Sequence, residues 1–284
     1  MKKKWKIFWI VCAITGGIGM CCLFISLGMG VTLEKIENEL PNGISIGKFE
    51  SEDTREVIVP PDLEDFYQEI KKLDLDLTAG ELQILESEDS DIYVETEGIN
   101  EKLDLQYYAK GDALVLTTEK SLAGVVNQSI GTIYIYLPKD YQLEEAEISV
   151  HAGVLYIEDI HVKELSVEVG AGEADIDDFE VREAEFDCGA GEITAFGLAD
   201  KKIDIDCGMG NVSLTISDDE QNYNYDLTCG VGEIVCGSNS YSGIGGDQKV
   251  DNQASKEMNI DCGIGGVIVE FEGHHDENHE REHF

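Results

Sequence analysis

The sequence predicts an all-β fold: a parallel, β-helix-like solenoid with rungs of about 19 residues, preceded by one N-terminal transmembrane helix. Three observations carry this. Seven segments align without gaps around a shared glycine, apolar and polar residues alternate on both sides of that glycine, and an uncharged apolar run precedes them all. With 30 Gly against 4 Pro, the composition favours repeated tight turns over linkers.

The apolar run comes first in the chain. Residues 7–31 carry no charge, and at about 1.5 Å rise per residue they cross a ~30 Å hydrocarbon core with some tilt. Lys2, Lys3, Lys4 and Lys6 precede the run, whereas Glu34, Lys35, Glu37 and Glu39 follow it. The positive-inside rule therefore places the N-terminus in the cytoplasm and the C-terminal domain outside the cell membrane. A cleaved signal peptide would have an apolar core of only about 7 to 15 residues and a small-x-small site, which is not found after Ser26. Cys21 and Cys22 raise a lipoprotein signal as an alternative, but Met20 and Cys21 stand where such a signal wants a small residue. An uncleaved single-pass anchor over residues 1–31 is the favoured reading. Residues 32–72 follow as a juxtamembrane segment, in which LEKIENEL extends the helix before Pro41 and DLEDFYQEIKK forms a short helix capping the first rung.

Residues 73–272 carry the repeat. The aligned segments begin at Leu73, Ala146, Leu165, Ala184, Ile203, Tyr225 and Met258, and their marker glycines are Gly80, Gly153, Gly172, Gly191, Gly210, Gly232 and Gly265. Spacings of 19, 19 and 19 in the middle give way to 22 and 33, so the last two rungs carry insertions. Each unit reads as strand, tight corner, strand, and a unit that cannot cover its own apolar side buries it by stacking on its neighbours. Three inward columns are expected. One is Leu77, Val150, Val169, Cys188, Cys207, Cys229 and Cys262. The next is Ala79, Ala152, Ala171, Ala190, Met209, Val231 and Ile264. The third is Ile84, Ile157, Ile176, Ala195, Leu214, Cys236 and Val269. Between Leu85 and Glu145 the marker glycine is absent while strand alternation persists, which predicts less regular β structure with a turn at Lys110–Asp112.

An apolar-Asp-apolar-Asp strand leading into a (Thr/Cys)-Gly-x-Gly-(Glu/Asn/Gly) corner, behind a single anchor, resembles the bacterial membrane-anchored β-strand-repeat family of unknown function labelled "putative adhesin". The likeness spans roughly residues 70–272. It implies a Gram-positive cell-envelope protein, in some relatives associated with envelope stress, and it brings no catalytic set. Gly266, where an acid is usual, and Cys in place of Thr depart from the pattern.

The charge balance, 20 basic against 59 acidic residues, repels phosphate backbones and nearly rules out nucleic acid as a partner. The acids lie outward: Asp74, Glu147, Ser166, Glu185, Asp204, Asp226 and Asn259 form one column, and Asp76, Ser149, Glu168, Asp187, Asp206, Thr228 and Asp261 the next. Glu81, Glu173, Glu192 and Glu233 follow the corner. Carboxylates stacked at about 4.8 Å repel one another and attract cations, so Glu185, Asp187, Asp204 and Asp206 are candidates for metal or cationic-peptide binding. A solvated face that keeps the solenoid soluble is the plainer expectation, because calcium wants about 6 to 8 converging oxygens and a flat ladder does not converge. In the tail, 273–284, His275, His279 and His283 would share one face of a helix at a spacing suited to a transition metal, although a disordered polar end is expected.

Five cysteines, 188, 207, 229, 236 and 262, lack the C-x-x-C spacing of zinc sites and read as buried free thiols. The corner Gly-x-Gly recurs in at least five rungs that lead into strands, so it serves the corner and not a nucleotide. Polysaccharide-cleaving solenoids pair carboxylates with basic groups in a cleft. Here Arg55, Arg182 and Arg281 are the only arginines, and His151 and His161 look isolated. The expectation is a non-enzyme without a cofactor: an envelope interaction module or, alternatively, a divalent-cation or cationic-peptide sensor.

Overall fold

The computed structural model describes residues 64–67, 69–100, 103–118 and 131–273. They belong to the second of two compact units, Glu56–Phe284; the first, Met1–Arg55, lies outside the described residues. The expected transmembrane helix and His275, His279 and His283 therefore lie outside them too. Among the described residues no helix is long and apolar enough to cross a membrane.

Those residues form an all-β structure of seventeen strands. In chain order they are β1 Glu64–Tyr67, β2 Lys72–Leu77, β3 Gly80–Ser87, β4 Ile92–Glu97, β5 Leu105–Lys110, β6 Ala113–Thr118, β7 Thr132–Pro138, β8 Gln142–Val150 and β9 Gly153–Ile157. There follow β10 Ile160–Val169, β11 Glu173–Cys188, β12 Glu192–Cys207, β13 Asn211–Ile216, β14 Tyr223–Cys236, β15 Asn239–Val250, β16 Lys256–Cys262 and β17 Gly266–Phe271. Period-two alternation translates directly into burial: in β2, Leu73, Leu75 and Leu77 are buried while Asp74 and Asp76 are exposed.

Each rung contributes one strand to each of two parallel layers that face each other across the core. The layer before the corner runs β5, β6, β2, β8, β10, then residues 179–188 of β11, 198–207 of β12, β16, 223–229 of β14, and β15. The layer after it runs β1, β4, β7, β3, β9, then 173–176 of β11, 192–197 of β12, β13, β17, 233–236 of β14, and β15. All pairings are parallel except at the two ends. There a reversed rung, β4 with β5 or β15 alone, pairs antiparallel and takes the edge that another chain could otherwise join.

The rungs do not stack in sequence order. β16 and β17 lie between β12–β13 and β14, with Cys207 opposite Cys262 and Cys262 opposite Cys229. The thiol column thus runs Cys188, Cys207, Cys262, Cys229, which corrects the sequential order. The reason is the hairpin at Gly237: β15 folds back along β14 and covers its outer edge, so the last rung pairs with the two parallel edges that remain. At the other end the segment without a marker glycine supplies a complete rung, β6 with β7, seated between the reversed rung and the first repeat. The expected turn is there, with Gly111 at φ +66. The short helix expected in DLEDFYQEIKK is also corrected: Glu64–Tyr67 is a strand antiparallel to β4. An open sheet edge offered it backbone partners, and so outweighed local helical patterning.

The corner explains both the repeat and the second main correction. The marker glycines stack backbone on backbone: a Cβ on Gly172 would lie 2.0 Å from the Gly153 carbonyl oxygen, and one on Gly265 1.9 Å from that of Gly210. No side chain fits there. In the five rungs where a glycine stands on both sides, the residue ahead of the marker glycine therefore occupies the tip of the turn and points away from the core. Ala79 is buried and Ala152 partly so, but Ala171, Ala190, Met209, Val231 and Ile264 are exposed, contrary to the inward column expected for them. The first and third columns are buried throughout.

Candidate interaction surface

The outward columns face solvent as the alternation requires. None of their fourteen residues is buried, and parallel register sets Glu168, Asp187, Asp206 and Asp261 side by side on four adjacent rungs. With Gly170, Gly189, Gly208 and Gly263 they line an open groove of about 460 Å³ beside the corner. Partial burial, reinforced by Glu185, Asp206 and Glu168, raises the Asp187 carboxyl to about 6. Burial and the charges of Asp261 and Asp204 raise Asp206 as well. The column that contains Asp204 is partly neutralised: Asn259 Nδ2 donates to Asp204 Oδ1 at 2.7 Å, and Lys202 lies 2.6 Å from Asp204 Oδ2. Glu185 is exposed.

Among the described residues no group of three or more His, Cys, Asp and Glu side chains is placed to hold a metal ion. Glu185, Asp187, Asp204 and Asp206 are brought onto one face but as a ladder, not a converging shell. The five described cysteines are free and buried. Cys207 Sγ donates to the Gly210 carbonyl at 3.2 Å, and burial, with the adjacent Cys262 and Cys188, pushes its thiol up to about 12. It is a packing group and not a nucleophile.

The two histidines are not isolated. His151 Nε2 lies 2.9 Å from Asp76 Oδ1 one rung away, and His161 sits between Asp159 at 3.3 Å and Glu180 at 3.2 Å. Each therefore contacts a carboxylate of a neighbouring rung, Asp76 for His151 and Glu180 for His161.

What the alternation did not reveal is the corner ridge. Met209 is 67% exposed, Ile264 64% and Val231 55%, on three adjacent rungs. Ile268, beyond the corner from Ile264, is 46% exposed. The ridge follows the backbone ladder: Met209 N–H donates to Gly189 O at 2.7 Å, Ile264 N–H to Gly208 O at 2.8 Å, and Val231 N–H to Gly263 O at 2.7 Å. The legible signal was the second glycine of the pair, since a residue between two backbone-packed glycines has only solvent to point into.

Two parallel layers, stacked glycine corners and a carboxylate-lined outer face define a β-solenoid repeat protein. The chain belongs to the Toastrack DUF4097 family, whose model matches residues 70–234, more than half of the chain. That span contains six of the seven marker glycines, in accord with the likeness read from the corners. Solved structures similar to the chain include a putative cell adhesion protein from Clostridium sporogenes, at 18% identity over 74% of this chain and 100% of that one, with a TM-score of 0.41. A putative adhesin from Bacteroides fragilis shows 15% identity over 75% and 98% of the two chains, TM-score 0.33. One from Parabacteroides distasonis shows 14% over 73% and 95%, TM-score 0.32. No curated protein matches the chain.

Proposed function

We propose that this chain is a membrane-anchored interaction module of the cell envelope, adhesin-like or envelope-stress-associated, with residues 7–31 as anchor, its N-terminus in the cytoplasm and its acidic solenoid outside. The observation that carries the reading is the pair of outward columns, with Glu168, Asp187, Asp206 and Asp261 on four adjacent rungs, on a scaffold whose two ends are closed by reversed rungs. Such a surface presents charge over many rungs and offers no paired acid and base in a cleft, so the module is read as a non-enzyme that needs no cofactor. Crosslinking in intact cells tests it: the wild-type chain should capture a defined envelope component. Glu185→Gln, Asp187→Asn, Asp204→Asn and Asp206→Asn combined should capture it several-fold less. Equal capture by both would remove the acidic face from the account.

A second reading, a divalent-cation sensor, is favoured by the crowding that raises Asp187 and Asp206, because a bound cation would relieve it. Calorimetry of the full chain with calcium and magnesium decides it, and an absence of heat at millimolar ion ends it.

A further inference from the structure

We propose that the corner ridge of Met209, Ile264 and Val231, with the carboxylate column of Asp187, Asp206 and Asp261 beside it, is a docking strip for a basic amphipathic helix of a partner protein; this rests on the interaction-module reading above. Three facts select that occupant. Large apolar side chains stand at the tips of three consecutive rungs, and monomeric proteins rarely leave such groups contiguous and uncovered without a use. On the Met209 and Ile264 rungs the side before the corner carries Asp206 and Asp261, whereas the side after it offers Asn211, Gly266 and exposed Ile268; on the Val231 rung Thr228 stands before the corner and Glu233 after it. Over the Met209 and Ile264 rungs the strip is therefore amphipathic across its width, and its complement is a segment with one apolar and one cationic flank. The lysines of these rungs do not neutralise the column: Lys202 lies on Asp204, Lys256 on Asp218 and Lys249 on Asp226, all away from the corner.

Spacing favours a helix. Successive tips recur at the strand separation of about 4.8 Å, and successive turns of a helix at about 5.4 Å. Two turns therefore stay in step with three tips to within about 1 Å. A second copy of this chain fits worse, because ridge against ridge would bring two carboxylate columns together. An anionic lipid surface is repelled by the same column.

The test uses the purified full chain in neutral-detergent micelles, with protein-free micelles as the blank. The probes are a Lys/Leu helix-forming 18-residue peptide of amphipathic order and the same composition scrambled, an on-the-order-of five-turn helix for which a single face is decisive. The amphipathic peptide should bind at least tenfold tighter than the scrambled one. Met209→Ser, Ile264→Ser and Val231→Ser combined should abolish that preference while leaving the melting temperature unchanged, because all three side chains are exposed. Benzoylphenylalanine at position 209 should crosslink to the amphipathic peptide. Were the triple variant to misfold, Met209→Lys alone should weaken the amphipathic peptide at least threefold. Equal affinity for the two peptides, lost only in Asp187→Asn, Asp206→Asn and Asp261→Asn combined, would overturn the ridge and leave the electrostatic module standing. Binding to neither peptide, or self-association that the serine variant abolishes, would overturn it as well.

Discussion

At Cys207 and Asp206 two neighbouring residues meet opposite environments, one between the thiols of Cys188 and Cys262 and the other among carboxylates. Cys207→Asp would bury an unpaired charge and should cost about 3 kcal/mol or more, whereas Asp206→Asn should leave the thermal midpoint unchanged or slightly higher. Equal midpoints for the two variants would refute the register. Asp187 gives the same logic a pH dependence. Its folded-state pKa, about 6, is raised above that of an unfolded aspartate, so the folded state holds the proton more tightly. Its unfavourable contribution is therefore complete above about pH 6 and fades as pH falls through that value towards the unfolded one. Asp187→Asn should raise the melting temperature at pH 7.5 and have little effect at pH 4, and an equal rise at both would contradict the crowding. Alternation sufficed to assign every strand residue of the first and third columns. It failed at Met209, Val231 and Ile264 because the count of two was carried across a corner where the chain reverses and backbone contact, not period, decides direction.

The strands of the repeat were legible because each depends on its own side chains, while β1, β15 and the neighbours of each strand were not. Glycine spacings of 22 and 33 announced insertions but not that β15 reverses, nor that β16 and β17 fall between earlier rungs. Edge choice depends on which backbone groups remain unpaired once the hairpin has closed, a non-local property. The out-of-order rung is fastened by Lys256 at the start of β16, whose Nζ lies 2.7 Å from Asp218 Oδ2 with both side chains largely buried. Burial works against the Asp218 charge, but hydrogen bonds from Lys256, the Asp219 N–H and Asn222 outweigh it and hold its carboxyl below the usual value. Lys256→Met should therefore destabilise the domain by about 3 kcal/mol, since it leaves a buried charge unpaired. The depressed pKa means that the Asp218 contribution is complete above the unfolded carboxylate pKa and is lost as pH falls through the folded one. Asp218→Asn should accordingly flatten the acid limb of the stability curve below about pH 4. A double-mutant cycle on Asp204 and Asn259 reads the same order: coupling of about 0.5 kcal/mol or more is expected between residues 55 apart in the chain, and none would be seen if rungs stacked sequentially.

For the whole molecule, the first 31 residues contain four basic residues and no acids, leaving 16 basic against 59 acidic residues beyond them. On the proposed topology this acidic part lies outside the membrane. An enzyme reporter active only outside the membrane should work when fused at residue 284, and activity of a cytoplasm-only reporter there would reverse the topology. The solenoid and its charged face were legible in the sequence because both follow from a local period, while the apolar strip was not, because it arises where rungs meet. The central claim is that the outward carboxylates form the interaction surface. Its most direct measurement is the affinity of the full chain for a lysine homopeptide as salt rises from low to physiological strength, where the Debye length is about 8 Å, beside the Glu185→Gln, Asp187→Asn, Asp204→Asn, Asp206→Asn variant. The account predicts wild-type affinity that falls steeply with salt and is several-fold weaker in the variant. Unchanged affinity in a variant that melts like the wild type would contradict it.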